Sequence, residues 1–219
     1  DEDETSVASS GGGEIVVSRL QSGRHSSVVR DAVALSEKSI EPGTDYKTIW
    51  NDRFRTLASA QSGLLKHVSI VDRYAMEQHF RCPVDRLSGL NRFLKHLNQD
   101  ASGPRYVTIF SAWTKELQGK YVRDVESEMS ELLRRLPNGG VKRLTVYMVP
   151  NSAFGQEAHD RFVRFGRYVW ELGRGLEVLE GPSARYPCSA SFKISDETHR
   201  GVESGLKRHA NPGPIKVKG

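Results

Sequence analysis

Between Tyr46 and Val149 the spacing of the apolar residues changes repeatedly, and this alternation limits what the chain can become. Tyr46, Ile49, Trp50, Phe54 and Leu57 fall on one helical face, after a Glu41-Pro42-Gly43-Thr44 entry in which Thr44 is placed as the N-cap. The β-branched run Lys66–Asp72 then predicts a strand. Leu87, Leu90, Leu94 and Leu97 predict a second helix that stops before Ser102-Gly103-Pro104. Arg105–Trp113 predicts a second strand. Val122, Val125, Met129, Leu132, Leu133 and Leu136 mark the clearest helix, closed by Pro137-Asn138-Gly139-Gly140. Val141–Val149 predicts a third strand. Strand, helix, strand, helix, strand at these intervals implies βαβ units and a parallel sheet.

After Pro150 the texture shortens. Arg161–Phe165, Arg167–Leu172 and the Gly175–Glu180 stretch are too closely spaced for helical crossovers, and predict antiparallel hairpin strands joining the same sheet. A last helix is expected from Ser195 or Asp196 to Arg208. The expected fold is therefore a single α/β domain, a mixed but mostly parallel sheet flanked by helices with a C-terminal antiparallel hairpin region. It would run over residues 36–209. Residues 1–35 would be a flexible acidic and Gly/Ser-rich tail with its lead-in, and residues 210–219, with two prolines and two glycines in Asn211–Gly219, a second tail.

Charge is divided unevenly. Residues 1–14 hold five acidic groups and no Lys or Arg, leaving 32 basic against 22 acidic side chains in the other 205 residues, a net +10. A basic body favours an anionic partner such as nucleic acid, phosphoinositide, acidic membrane or acidic protein. No apolar stretch approaches the roughly 20 residues of a spanning helix, and the acidic N-terminus is the opposite of an export signal. With two isolated cysteines, Cys82 and Cys188, neither a disulfide framework nor a zinc site is implied, and a reducing, cytoplasmic setting is expected. No set of His, Cys or carboxylate residues has metal-ligand spacing, and no cofactor fingerprint is present.

In parallel sheets ligands gather beyond the carboxyl ends of the strands. Those ends are Asp72-Arg73-Tyr74 and Ser111-Ala112-Trp113. Asp72 is placed there either to bind or, as a turn residue, to hold the following backbone. The segment Glu157–Arg185 concentrates five arginines (Arg161, Arg164, Arg167, Arg174, Arg185) in 29 residues beside His159, Phe162, Tyr168 and Trp170. Guanidinium forks match phosphate oxygens in pairs, and the Gly173-Arg174-Gly175 turn adds backbone N–H groups that could face an anion. The plainer alternative is a twisted hairpin with its arginines in solvent. His159, in His159-Asp160-Arg161, is the one histidine placed for catalysis, although a histidine beside an aspartate commonly has a structural role.

The string from His159 to Arg185, with its H-D-R strand, Trp-containing strand and G-R-G-L-E element, resembles the phospholipase D-like C-terminal domain that follows MIT (microtubule-interacting and trafficking) modules. Pro42–Trp50, Ser69–Phe80 and the Ser-Ala-Arg-Tyr stretch at Ser183–Tyr186 are similar to other parts of that family, over roughly residues 36–209, with no MIT bundle in front. The resemblance implies a non-catalytic binding or recruitment domain that dimerises or joins a larger complex. It would contact acidic lipid headgroups or an acidic protein surface, as a peripheral membrane protein or as a module of a prokaryotic conflict system. Arg73, His159, Arg161, Arg164 and Arg174 would then bind the ligand. The alternative is a dimeric phosphodiesterase or nuclease with His159 as nucleophile and Arg161 as phosphate clamp. Against it, Arg161 stands where catalytic relatives carry Lys, and Gly166 lies near the position of their acid.

Overall fold

The computed structural model describes residues 27–36, 38–61, 63–83, 85–137, 139–157 and 161–218. Seven strands form one sheet: β1 (His67–Val71), β2 (Arg105–Trp113), β3 (Val141–Pro150), β4 (Phe162–Phe165), β5 (Tyr168–Leu172), β6 (Ala190–Lys193) and β7 (Ile215–Lys218), in the order β6-β5-β4-β1-β2-β3-β7. β1, β2 and β3 run parallel, and every other pairing is antiparallel. The sheet is thus α/β and mixed, but antiparallel pairings outnumber parallel ones, which corrects the expected balance. Helical crossovers join β1 to β2 and β2 to β3 in parallel, whereas the tight β4–β5 turn forces an antiparallel hairpin and β4 and β7 enter beside β1 and β3 in the reverse direction.

Helices fill those crossovers. After β1, α4 (Ala75–Arg81) and α5 (Gly89–Asp100) lead back to β2, and α6 (Val122–Arg135) connects β2 to β3. Ser88 caps α5 by accepting the Asn91 N–H at 3.1 Å. α2 (Tyr46–Trp50) starts at Asp45, not Thr44: the Asp45 carboxylate accepts the Lys47 and Thr48 N–H groups, while the Thr44 hydroxyl turns back to the Glu41 carbonyl. A carboxylate is the better acceptor at the positive end of a helix. A π-helical turn (Asn51–Arg55) joins α2 to α3 (Thr56–Ser59).

Period-two alternation in the strands sends one set of side chains to each face. Val68, Ile70, Val107, Ile109, Leu144, Val146, Val163, Phe165 and Trp170 enter the larger core with Trp50, Phe54, Phe93 and Leu97. The other set, including Val71, Phe110, Val149, Phe162 and Val169, packs beneath α7 (Asn151–Glu157) and α8 (Glu197–His209) through Ala153, Phe154 and Leu206. α1 (Ser27–Ser36) lies in the expected lead-in, yet Ala32 and Leu35 pack on the main core and the Ser36 hydroxyl accepts the Phe192 N–H at 2.7 Å.

Two further expectations are corrected. Residues 175–179 form a 3-10 helix and no strand; Gly175 takes φ of 60°, and the next amide, Leu176 N–H, is captured by Asp72, so the chain curls instead of extending. The stretch expected as a C-terminal tail ends in β7, where Ile215 and Val217 are buried beside β3. The alternation Ile-Lys-Val-Lys is an edge-strand pattern that the flanking prolines and glycines concealed. The acidic residues 1–14 lie outside the described residues.

Candidate functional site

At the carboxyl end of β1 the chain turns through Asp72, Arg73 and Tyr74 into α4. Ser111 on β2 holds this turn from beneath: its hydroxyl donates to the Arg73 carbonyl and accepts the Met76 N–H, each at 3.1 Å. Asp72 is 1% exposed and accepts the Tyr74 N–H at 3.0 Å and the Leu176 N–H at 2.8 Å. Burial pushes its carboxyl above the ordinary aspartate value, opposed by those two amides and by the nearby Arg161 charge. Asp72 therefore ties the first parallel strand to the turn at residues 173–176, across more than 100 residues of sequence. Of the two sequence readings of Asp72, the structure shows the turn residue that holds the following backbone.

Arg161, immediately before β4, is brought to the same place. Its Nε lies 4.0 Å from the Asp72 carboxylate, its side chain is 25% exposed, and its guanidinium carbon is 5.0 Å from the centre of the Tyr74 ring. Arg73 reaches the same ring at 5.4 Å and donates from Nε to the Asn151 side-chain oxygen at 2.6 Å. Two cations thus share one aromatic side chain, each in the range of a cation–π contact. Gly175 has no room for a side chain, because a Cβ there would collide with the Asp72 carboxylate and with Cδ of Arg161.

Arg174 sits on the adjoining turn but is committed locally. It donates to both Glu177 carboxylate oxygens, at 2.9 and 3.2 Å, and lies 4.6 Å from the centre of the exposed Tyr186 ring. Together with Glu180 and Arg185 these groups line a shallow depression next to the Arg161 cluster. Acidic and basic groups alternate there, so its net attraction for an anion is weaker than that of Arg73 and Arg161.

Arg164 does not belong to the cluster. Strand alternation points it to the opposite face, where it is 8% exposed and donates to both Glu203 oxygens at 2.7 Å and to the Gly166 carbonyl at 2.6 Å. Asp196 lies 3.4 Å from it. A guanidinium enclosed by two carboxylates is not open to a ligand, and the expectation that Arg164 binds one is corrected. His159 lies outside the described residues. Cys82 and Cys188 are both free; Cys188 is buried, which pushes its thiol up, and it donates to the Ser189 carbonyl. No cluster of His, Cys, Asp and Glu among the described residues is arranged to hold a metal ion. Neither is any helix there long and apolar enough to cross a membrane.

Three of the five expected ligand-binding residues, Arg73, Arg161 and Arg174, therefore come together at the end of β1. Tyr74 and Asn151 were not anticipated. The Asp72-Arg73-Tyr74 string offered a signal for Tyr74, since an aromatic after an arginine at a strand end is placed to stack; Asn151 had none. No protein-family model and no curated protein matches this chain.

Proposed function

We propose that the chain is a non-catalytic, phospholipase D-like binding domain that recruits an acidic partner, with phosphate groups of a phosphoinositide-type membrane as its ligand. The observation that carries this reading is the pairing of Arg73 and Arg161 on Tyr74 at the carboxyl end of a parallel strand. Among the described residues the Arg161 guanidinium donates no hydrogen bond and meets its one carboxylate only at 4.0 Å. Its N–H groups are thus held in position yet keep hydrogen-bonding capacity for phosphate oxygens. The buried Asp72 beneath it keeps the guanidinium in place without fully neutralising it.

Each basic residue near an anionic surface contributes about 1 kcal/mol, so the pair contributes roughly a 30-fold gain in partitioning. Useful affinity then calls for a dimer or a larger assembly to present several copies, as the resemblance to the MIT-associated domain implies. Arg73→Glu with Arg161→Glu is expected to abolish sedimentation with phosphoinositide-containing vesicles, while the circular dichroism spectrum and melting profile stay native-like. Charge-reversed protein that sediments as wild type does would overturn the reading. Vesicle binding absent in both, with an acidic protein captured only by the wild type, would assign the same arginines to a protein partner instead.

A further inference from the structure

The second face of the sheet is covered at one end only. α7 and α8 pack over Val71, Phe110 and Val149, toward the carboxyl ends of β1 to β3. At the opposite end, strand register aligns His67, Tyr106, Arg143 and Lys218 in one row across β1, β2, β3 and β7. Ser69, Thr108, Thr145 and Lys216 form the next row. His67, Lys216 and Lys218 are exposed, and Tyr106, Thr108, Arg143 and Thr145 are partly exposed, whereas their alternating neighbours Val68, Val107, Leu144 and Val217 are buried on the other side. Ser69, at the inner end of the second row, is buried beside Arg164, which Glu203 of α8 covers; the other positions of both rows stay open to solvent.

The first row is planar and aromatic. The His67 and Tyr106 rings are 5.5 Å apart at 33°, and the Arg143 guanidinium carbon stands 5.0 Å from the Tyr106 ring centre. It is also strongly one-signed: β1, β2, β3 and β7 contain no Asp or Glu. No carboxylate among the described residues pairs with Arg143, Lys216 or Lys218, while Lys207 of α8 lies at the border of the patch, 5.9 Å from the Phe110 and Tyr147 rings. Neither row contains an aliphatic side chain that could enter an acyl layer, which argues against a membrane here.

From this juxtaposition we infer that the open half of the sheet is a second binding site, for single-stranded nucleic acid. Strands about 4.8 Å apart set neighbouring planar groups at a pitch suited to successive unstacked bases. Bases stack on the His67–Tyr106–Arg143 row, and phosphates run along Lys216 and Lys218 on the edge strand; the threonine hydroxyls of the second row meet polar base edges. Aromatic platforms of this kind with a cationic margin accept bases with little sequence preference. The site lies at the end of the parallel strands away from Arg73 and Arg161, so its fate is independent of theirs.

The test is fluorescence anisotropy of a labelled oligouridine with the full chain. Lys216→Glu with Lys218→Glu, both exposed, is expected to weaken binding at least about tenfold and to make the salt dependence shallower by about one phosphate contact per lysine. The Lys→Arg pair retains affinity. Tyr106→Ala is expected to lose roughly 5- to 150-fold, and Tyr106→Phe to keep its stacking. Failure of the wild type to bind the oligonucleotide at low ionic strength overturns the inference. So does wild-type affinity in the lysine-reversed protein, or a duplex of equal length bound as tightly as the single strand. Should Tyr106→Ala fail to fold, the exposed lysine pair decides.

Discussion

Arg105 is 1% exposed, and among the described residues it has no carboxylate beside it; its Nη2 donates to the carbonyls of Ala58 and Ala60, both at 2.7 Å. Those carbonyls belong to the end of α3, where unsatisfied acceptors and the negative end of the helix dipole accumulate. Burial lowers the proton affinity of this guanidinium, and the carbonyls take the role an acid would have. Arg164 solves the same problem with Glu203 and Asp196. Removing one member of such a buried pair leaves an uncompensated charge, at a cost of about 3–5 kcal/mol, whereas replacing both with apolar groups is often nearly neutral. Arg164→Ala is therefore expected to lose about 3–5 kcal/mol in urea unfolding, and Arg164→Met with Glu203→Met to recover most of it. Equal losses in single and double variants would mean that packing, not charge, sets the cost. Arg161 differs from both in keeping a quarter of its side chain in solvent, and that difference in exposure, invisible in the residue type, separates a solvent-reaching arginine from two enclosed ones.

β2 spans Arg105–Trp113, where its alternation and β-branched content put it, and β1, β3 and α6 end within a residue of the sequence expectation. These are long elements with one dominant period, so local pattern and tertiary burial agree. α4 and α7 were missed because each has seven residues, about two turns, too few to display a period. The stretch at residues 175–179 reads as a strand only while Asp72 is out of consideration. β7 has its alternation in plain view, and what masked it was its setting at the end of the chain after Asn211-Pro212-Gly213-Pro214. Ile215→Ala should cost about 2 kcal/mol, the lower end for a buried isoleucine because the strand is at an edge. A free tail would show no change in melting temperature, so calorimetry on this variant distinguishes the two descriptions.

On the scale of the molecule, His79 links three helices that pack on the sheet. From α4, its Nδ1 meets the Ser88 hydroxyl at the start of α5 at 2.7 Å, and its Nε2 meets Glu128 of α6 at 3.1 Å. Burial lowers its pKa below the ordinary histidine value; Glu128 opposes this and Arg135 adds to it. The neutral ring is satisfied by accepting from Ser88 and donating to Glu128. In the unfolded chain His79 protonates near its ordinary value of 6.5, so the unfolded state binds more protons between that pH and the lower folded value. Stability should then be fully present above about pH 6.5 and fall with decreasing pH, by at most about 1.4 kcal/mol per unit. His79→Gln should lack this component: the difference in unfolding free energy between wild type and variant should shrink from pH 7 toward pH 5. A difference that stays constant over that range would show that His79 does not carry the dependence.

Hydrophobic spacing alone located the strands β1, β2 and β3 and the helix between β2 and β3, and with them the α/β class, because the period of each element shows within about a dozen residues of chain. The same spacing located the arginine-rich segment and the strand end at Asp72. Which arginines meet, and which face they reach, was decided by tertiary structure. A shift of one residue along β4 exchanges one packed face of the sheet for the other; Arg161 and Arg164, three apart, reach opposite faces. The approach of Gly175 to Asp72 and the row from His67 to Lys218 arise from pairings between residues separated by scores of positions. Such pairings are enforced by burial and register, quantities that no local window of sequence contains.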